Sequence, residues 1–237
     1  KQPAMPQPTS APVNLAATLK PEPEKQSRPV ARPRARSVYE NMQLDSEFLQ
    51  RSICPQIGTF KGAVADVLPV TDFQAFSLTA QQFKSRWMLN YFYFEGNGPL
   101  DIRRLREACK RVLDTFDILR SVFVCAEGQF YQVVLKKMKV DLGIHDTEME
   151  LDAFVESLQQ KDRDHPPKHG DPFVKFAVVR KTGTNLHRIL VRMSHAQYDG
   201  VCLWKLLDAI KQGYEGGTMP KTSSFANHMR LMSSNVS

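Results

Sequence analysis

The stretch Leu186-His187-Arg188-Ile189-Leu190-Val191-Arg192-Met193-Ser194-His195-Ala196-Gln197-Tyr198-Asp199-Gly200-Val201-Cys202-Leu203-Trp204 decides how this chain is read. Its first half mixes branched apolar residues with arginines and predicts a strand. By the side-chain period of two, His187, Ile189, Val191 and Met193 share one face, and Arg188 and Arg192 lie on the other. His195 continues the first parity and is expected to project from the mostly apolar face. Asp199-Gly200 marks a turn. After it, Val201, Leu203, Trp204, Leu207, Ile210 and Tyr214 recur at helical spacing and predict a buried helix closed by Gly216-Gly217. A strand end that opens on a turn can aim a histidine into a cleft, and imidazole titrates near neutrality. A lone histidine on an apolar strand is more often structural, but the turn behind His195 makes it the candidate general base. Gly200 is the candidate for leaving backbone N–H groups accessible to an oxyanion, against the plainer reading of an Asp-Gly turn. Asp199 is read as structural, pairing with an arginine or accepting backbone N–H bonds.

Working outward, Val174 to Arg180 and Leu186 to Met193 predict a hairpin around Thr182-Gly183-Thr184-Asn185. Leu119 to Val124 and Phe130 to Leu135 predict a second, joined across Ala126-Glu127-Gly128-Gln129. Asp101 caps an amphipathic helix in which Ile102, Leu105, Cys109, Val112, Leu113 and Phe116 share a face. Thr71 or Asp72 caps a helix through about Phe83. Val67 to Asp72 is expected to be extended, with Pro69 blocking regular ladder pairing. Arg86 to Glu95 predicts an aromatic-rich strand, Glu148 to Gln160 a charged helix, and Ser223 to Met232 a short helix. A long polar loop spans Lys161 to Pro172, with His165 and His169 expected in solvent. Hairpins and helices in mixed order point to an α/β (α+β) fold, a mixed, largely antiparallel sheet with helices packed on it.

The chain has 237 residues, 42% of them hydrophobic, enough for a substantial core. Residues 1–36 hold eight of the fifteen prolines and read as a semi-rigid linker that cannot form a packed core. Ordered structure is expected from Ser37, where Ser37-Val38-Tyr39-Glu40 resembles a capping box, so residues 37–237 form the folded unit. Part of the net charge of +7 comes from Arg28, Arg32, Arg34 and Arg36. No aromatic residues lie between them to stack on bases, which favours a solvated linker over a nucleic-acid tract. Cys54, Cys109, Cys125 and Cys202 are widely spaced without a C-x-x-C pair, so neither a disulfide framework nor a zinc site is expected. With no apolar run long enough for a bilayer and no signal-peptide pattern, the expected location is cytoplasmic. The first residue is Lys1 rather than methionine, which points to a piece of a longer polypeptide. No glycine-rich phosphate loop, H-E-x-x-H or G-x-S-x-G occurs.

Ser194-His195-Ala196-Gln197-Tyr198-Asp199-Gly200 before an apolar helix resembles the active-site motif of condensation domains in nonribosomal peptide synthetases. These share the chloramphenicol acetyltransferase fold. Further matches follow in order. Leu68-Pro69-Val70-Thr71-Asp72-Phe73-Gln74 resembles the family's opening segment. Phe116-Asp117-Ile118-Leu119-Arg120-Ser121-Val122-Phe123 resembles its second motif, and Phe130 to Leu135 and Asp171-Pro172-Phe173 also correspond. The resemblance covers about Val67 to Met232. Where bacterial domains carry two histidines, the first position here is Ser194, a variant that resembles fungal condensation domains, especially terminal ones that release and cyclise a peptide. Those often have serine at the position of Cys202.

The resemblance implies one lobe of a two-lobed domain, with the second lobe absent from this chain. It implies that His195 positions or deprotonates an amine attacking a peptidyl thioester on a carrier protein, and that N–H groups near Gly200 bind the oxyanion. Asp199 and Arg120 are the candidates for a structural ion pair behind the site. The phosphopantetheine belongs to the carrier, so no directly bound cofactor and no metal are expected. The implied partners are the peptidyl carrier protein, the second lobe and the thioester substrate, with neither nucleic acid nor membrane. Alternatives are a chain-elongating or epimerisation domain, an acyl-CoA-dependent acyltransferase and a non-catalytic interaction module.

Overall fold

A computed structural model describes residues 46–58, 63–83, 88–227 and 229. The linker 1–36, the capping box at Ser37 and the first residues of the aromatic strand lie outside them. Among the described residues seven strands form two sheets. In the first, β1 (Val64–Pro69), β3 (Ser121–Ala126) and β4 (Gln129–Leu135) run antiparallel in the order β1-β4-β3. The second holds β2 (Leu89–Asn97), β5 (Leu142–Thr147), β6 (Lys175–Lys181) and β7 (Leu186–Ser194) in the order β2-β7-β6-β5. Only its β5–β6 pair is parallel. The long helices are α1 (Asp72–Phe83), α2 (Ile102–Thr115), α3 (Leu151–Asp164) and α4 (Cys202–Glu215). The mixed, largely antiparallel architecture is the one expected.

Local chemistry sets most of these boundaries. Thr71 Oγ1 accepts from Gln74 N while Gln74 Oε1 accepts from Thr71 N, so Thr71 opens α1 with a capping box. The Asp101 carboxylate accepts from Arg104 N at the start of α2. Glu127 and Gly128, both at positive φ, make the tight turn between β3 and β4. Gly213 lies against Ala108, where a Cβ would come within 3.2 Å, and this close approach packs α4 on α2.

Three expectations need correction. Pro69 does not block pairing: β1 is an edge strand, where a missing N–H costs the ladder nothing, and Pro69 lies opposite Tyr131. The charged helix starts at Leu151 and runs to Asp164, which shortens the predicted loop. β5 was not anticipated, because Gly143 and Asp146 weaken its strand signal. It is the parallel partner that a β5–α3–β6 crossover requires.

The four-stranded sheet is covered on both faces. Phe176, Val178, Val191 and Met193 join the main core with Leu105, Val112, Leu206 and Ile210. Ala177, Val179 and Leu190 meet Val155 of α3 on the other side. Arg188 and Arg192 therefore do not reach open solvent, and each side chain is only 9% exposed. Arg188 pairs with Glu95 and Asp152, and Arg192 pairs with Asp162 and donates to the Phe173 carbonyl. Buried charge persists only when paired in this way. Asp162 also accepts from the Tyr91 hydroxyl.

Asp162→Ala is expected to lower unfolding free energy by about 2 kcal/mol, because it strips a hydrogen-bonded partner from a buried cation. Asp146→Ala, which breaks the exposed pair with Arg180, should leave the urea midpoint in place. Equal midpoints for the two variants would contradict this account of how α3 is held.

Candidate functional site

β7 ends at Ser194, and the chain turns at once into a short 3-10 turn, His195–Gln197. The strand parity therefore stops one residue before His195, and the turn sets the direction of the imidazole. Ser194-His195-Ala196-Gln197 is a capping box. Ser194 Oγ accepts from Ala196 N, and Gln197 Oε1 accepts from Ser194 N at 3.2 Å.

This turn is tied to its surroundings by buried amides. Gln74 Nε2 of α1 donates to the Ala196 carbonyl at 3.1 Å and to Gln132 Oε1 at 3.0 Å. Gln132 Nε2 donates to Ser121 Oγ, which donates to the Asp117 carbonyl. Ser194 Oγ donates to Gln81 Oε1 of α1, and Gln197 Nε2 donates to the Ile118 carbonyl. Gln74, Gln81, Gln132, Gln197 and Ser194 are all at most 7% exposed. Each is hydrogen-bonded, as buried polar groups must be. None of the four glutamines was assigned a structural role from sequence. The signals were present: S-x-x-Q at 194–197, and glutamines seven residues apart on one face of α1.

His195 is half-buried. Its Nδ1–H donates to the Tyr198 carbonyl at 3.0 Å. A carbonyl can only accept, so the proton sits on Nδ1 and the Nε2 lone pair is left free. The Tyr198 ring stacks on the imidazole at 4.6 Å and 7°, and Phe73 meets it edge-on at 5.0 Å. The Tyr198 hydroxyl accepts from Asn90 Nδ2 at 2.7 Å, and Phe92 abuts its ring. Burial raises the Tyr198 pKa, which keeps the phenol neutral.

Asp199 and Arg120 do not form the expected ion pair. Arg120 pairs with Asp117 and donates to the Leu113, Asp114 and Leu135 carbonyls, which pins the end of α2 to β4. Asp199 caps α4 instead. Its Oδ1 accepts from Val201 N at 2.9 Å and Cys202 N at 2.7 Å, and its carbonyl accepts from Leu203 N. The bond from Cys202 N, first among these, holds the Asp199 carboxyl below its usual range. The same bonds engage the N–H groups of Val201 and Cys202, two of those near Gly200. Gly200 has no positive φ, and a Cβ there would meet no atom within 4 Å, so no close approach demands glycine. Cys202 Sγ accepts from Asp199 N, and burial raises its thiol pKa. All four cysteines are free thiols.

Two further expectations are corrected. Trp204 is 70% exposed and Val201 74%, because α4 buries Leu206, Ala209, Ile210 and Gly213. His169 is half-buried rather than fully in solvent: Gln82 shares a hydrogen bond with its Nε2, its ring meets Phe130, and burial lowers its pKa. Among the described residues no group of three or more His, Cys, Asp or Glu could hold a metal ion. None of their helices is long and apolar enough to cross a membrane.

The family model described as "Condensation domain" matches residues 64–230. The chain is 58% identical over 197 residues to Nonribosomal peptide synthetase 1 of Aspergillus fumigatus, covering 83% of this chain and 3% of that protein. It is 59% identical over 196 residues to Nonribosomal peptide synthetase nlsA of Emericella nidulans, with the same coverage of each. The solved structure described as "The crystal structure of CT" superposes with a TM-score of 0.67 at 25% identity, over 82% of this chain and 44% of that one. The condensation domain from Monacolin K polyketide synthase MokA shares the fold, with a TM-score of 0.60 at 18% identity over 73% of this chain and 40% of that one. The chain belongs to the condensation-domain family, and its fold is the chloramphenicol acetyltransferase-like one that the motifs implied. It spans about 3% of the length of the first two curated relatives.

The Asp199 cap generates a prediction with a definite sign. Asp199→Ala should cost about 1 kcal/mol, the ordinary value of a helix cap, rather than abolish folding. The folded-state pKa of Asp199 is depressed, so its contribution is complete above the unfolded value of about 3.9. It is lost as pH falls through the folded value. Thermal midpoints of wild type and variant should differ at pH 7 and converge toward pH 2. A constant gap across that range would contradict the assignment.

Proposed function

We propose that residues 37–237 are one lobe of a condensation domain in a fungal-type nonribosomal peptide synthetase, following a proline-rich linker at 1–36. The reaction is amide formation, an acyl transfer in which an amine attacks the thioester carbonyl of a peptide held on the phosphopantetheine of a carrier protein. Support for a second lobe is that the superposition covers 82% of this chain but 44% of the solved relative. Phe73, Val201 and Trp204, all exposed, flank the histidine in space or along the chain and give that lobe an apolar surface to cover.

The observation that carries the assignment is the committed Nδ1–H of His195. With that proton given to the Tyr198 carbonyl, Nε2 is the basic atom. In the proposed step the incoming amine donates a hydrogen bond to Nε2 and passes its proton there as the C–N bond forms. The thioester sulfur then departs as a thiol, taking a proton back from the imidazolium. Asp199 and Gly200 enter only through structure, since Asp199 fixes the start of α4 and with it the Tyr198 carbonyl. The residues present supply no preformed oxyanion donors at Val201 or Cys202. Proximity of the two tethered substrates carries much of the rate.

The finer reading is terminal release by ring closure, supported by Ser194 standing where bacterial domains carry the first of two consecutive histidines. Cys202, where terminal domains often have serine, favours chain elongation as the second reading. The product of the parent module separates them: a ring, or a longer peptide still bound to a carrier.

His195→Ala in the intact domain of the parent synthetase should reduce amide formation from a carrier-bound thioester by about 10²–10⁴-fold, the usual worth of a positioned base. Its circular dichroism and melting should match wild type, because the buried amides that hold the turn are untouched. Equal rates for variant and wild type would overturn the role of His195.

A further inference from the structure

On the face of the four-stranded sheet turned away from Val191 and Met193 there is a cavity of about 210 Å³. It lies between α3 and strands β2, β5, β6 and β7, and its lining has two parts. Leu158, Ala177 and Leu190 make an apolar floor, with Leu190 only 2% exposed. Around it stand Lys161, Lys175, Arg192, His145, Tyr91 and Asp162.

The charges do not balance. Asp162 is the single carboxylate in the lining, and it already accepts from Arg192 and Tyr91. The other guanidinium N–H bonds of Arg192 go to the Phe173 and Pro172 carbonyls. Lys161 and Lys175 are in no ion pair among the described residues, yet they converge on the same space from α3 and β6. Both act on His145, whose pKa is lowered by burial and by these two lysines, with only the neighbouring Asp146 opposing. The Nε2 of His145 comes within 2.9 Å of where a Cβ of residue 143 would stand, so Gly143 makes room for the ring. Two ammonium groups outside any ion pair, of which Lys175 acts at longer range on Asp162, and an imidazole thus ring a cavity several times the roughly 30 Å³ share of one water.

Like charges gathered at a concave site raise one another's energy, and a bound anion relieves that cost. An excess of two positive charges matches a dianion better than a carboxylate. The apolar floor beside it suits a short organic arm, as in small-molecule sites generally. We propose that this cavity binds a phosphate monoester. The phosphate lies between Lys161, Lys175 and His145, and the organic arm lies on Leu158, Ala177 and Leu190. The site is separate from the His195 turn and independent of the amide-forming role.

Calorimetric titrations of the 237-residue chain at low salt with inorganic phosphate and with n-butyl phosphate test this. Butyl phosphate should bind more tightly than inorganic phosphate. Removing charge in Lys161→Ala/Lys175→Ala should weaken it at least about tenfold, since each lysine donates to a charged oxygen. Both lysines reach solvent, so the double variant should keep the wild-type melting curve. A second readout needs no variant: saturating butyl phosphate should raise the His145 midpoint followed by NMR, because the bound anion offsets the two lysines. Failure of both the heat signal and the His145 shift would overturn the site. Unchanged affinity in the double variant would do the same. Equal binding of inorganic and butyl phosphate would overturn the ester assignment.

Discussion

Everything at the candidate site depends on one backbone carbonyl being held in place, that of Tyr198. It receives the Nδ1–H of His195, and in doing so it fixes both the ring orientation and the atom that carries the lone pair. The carbonyl is itself held from two sides. Upstream, the Ser194–Gln197 capping box and the amides of Gln74, Gln81 and Gln132 lock the turn against α1 and β4. Downstream, Asp199 fixes the first turn of α4 through three backbone N–H groups. The Tyr198 ring, anchored by Asn90, then closes over the imidazole. A buried polar network is worth its desolvation only when every member is paired, and the members named here are. Such a network gives a catalytic side chain a preorganised position rather than one set by flexible packing.

Much of the frame was legible in the sequence because its signals are local. The Thr71 and Asp101 caps, the Glu127-Gly128 turn and the Val191/Met193 periodicity each follow from a few neighbouring residues, and each stands where expected. What was not legible depends on distant partners. β5 carries weak strand residues and forms because the crossover through α3 delivers it to the edge of β6. Arg188 and Arg192 have surface chemistry, but α3 covers them and brings Asp152 and Asp162 to neutralise them.

The site shows the same division. His195 was identifiable from its motif, but its direction was not, because strand parity ends at Ser194. The Asp199–Arg120 pair was expected from residue type, a carboxylate and an arginine both in motif segments. It failed because both residues had closer partners: helix N–H groups for Asp199, and Asp117 with three carbonyls for Arg120. Near the histidine the structure therefore relies on backbone-directed hydrogen bonds more than on ion pairs. That suits a half-buried site, where an exposed salt bridge adds little stability.

The most direct test of this account is the protonation state of His195 itself. Nitrogen-15 NMR of the neutral imidazole distinguishes its two tautomers. The geometry predicts the Nδ1-protonated form, with Nε2 showing the shift of an unprotonated nitrogen. An Nε2-protonated ring, or an even mixture of the two, would contradict the claim that the Tyr198 carbonyl sets the basic atom.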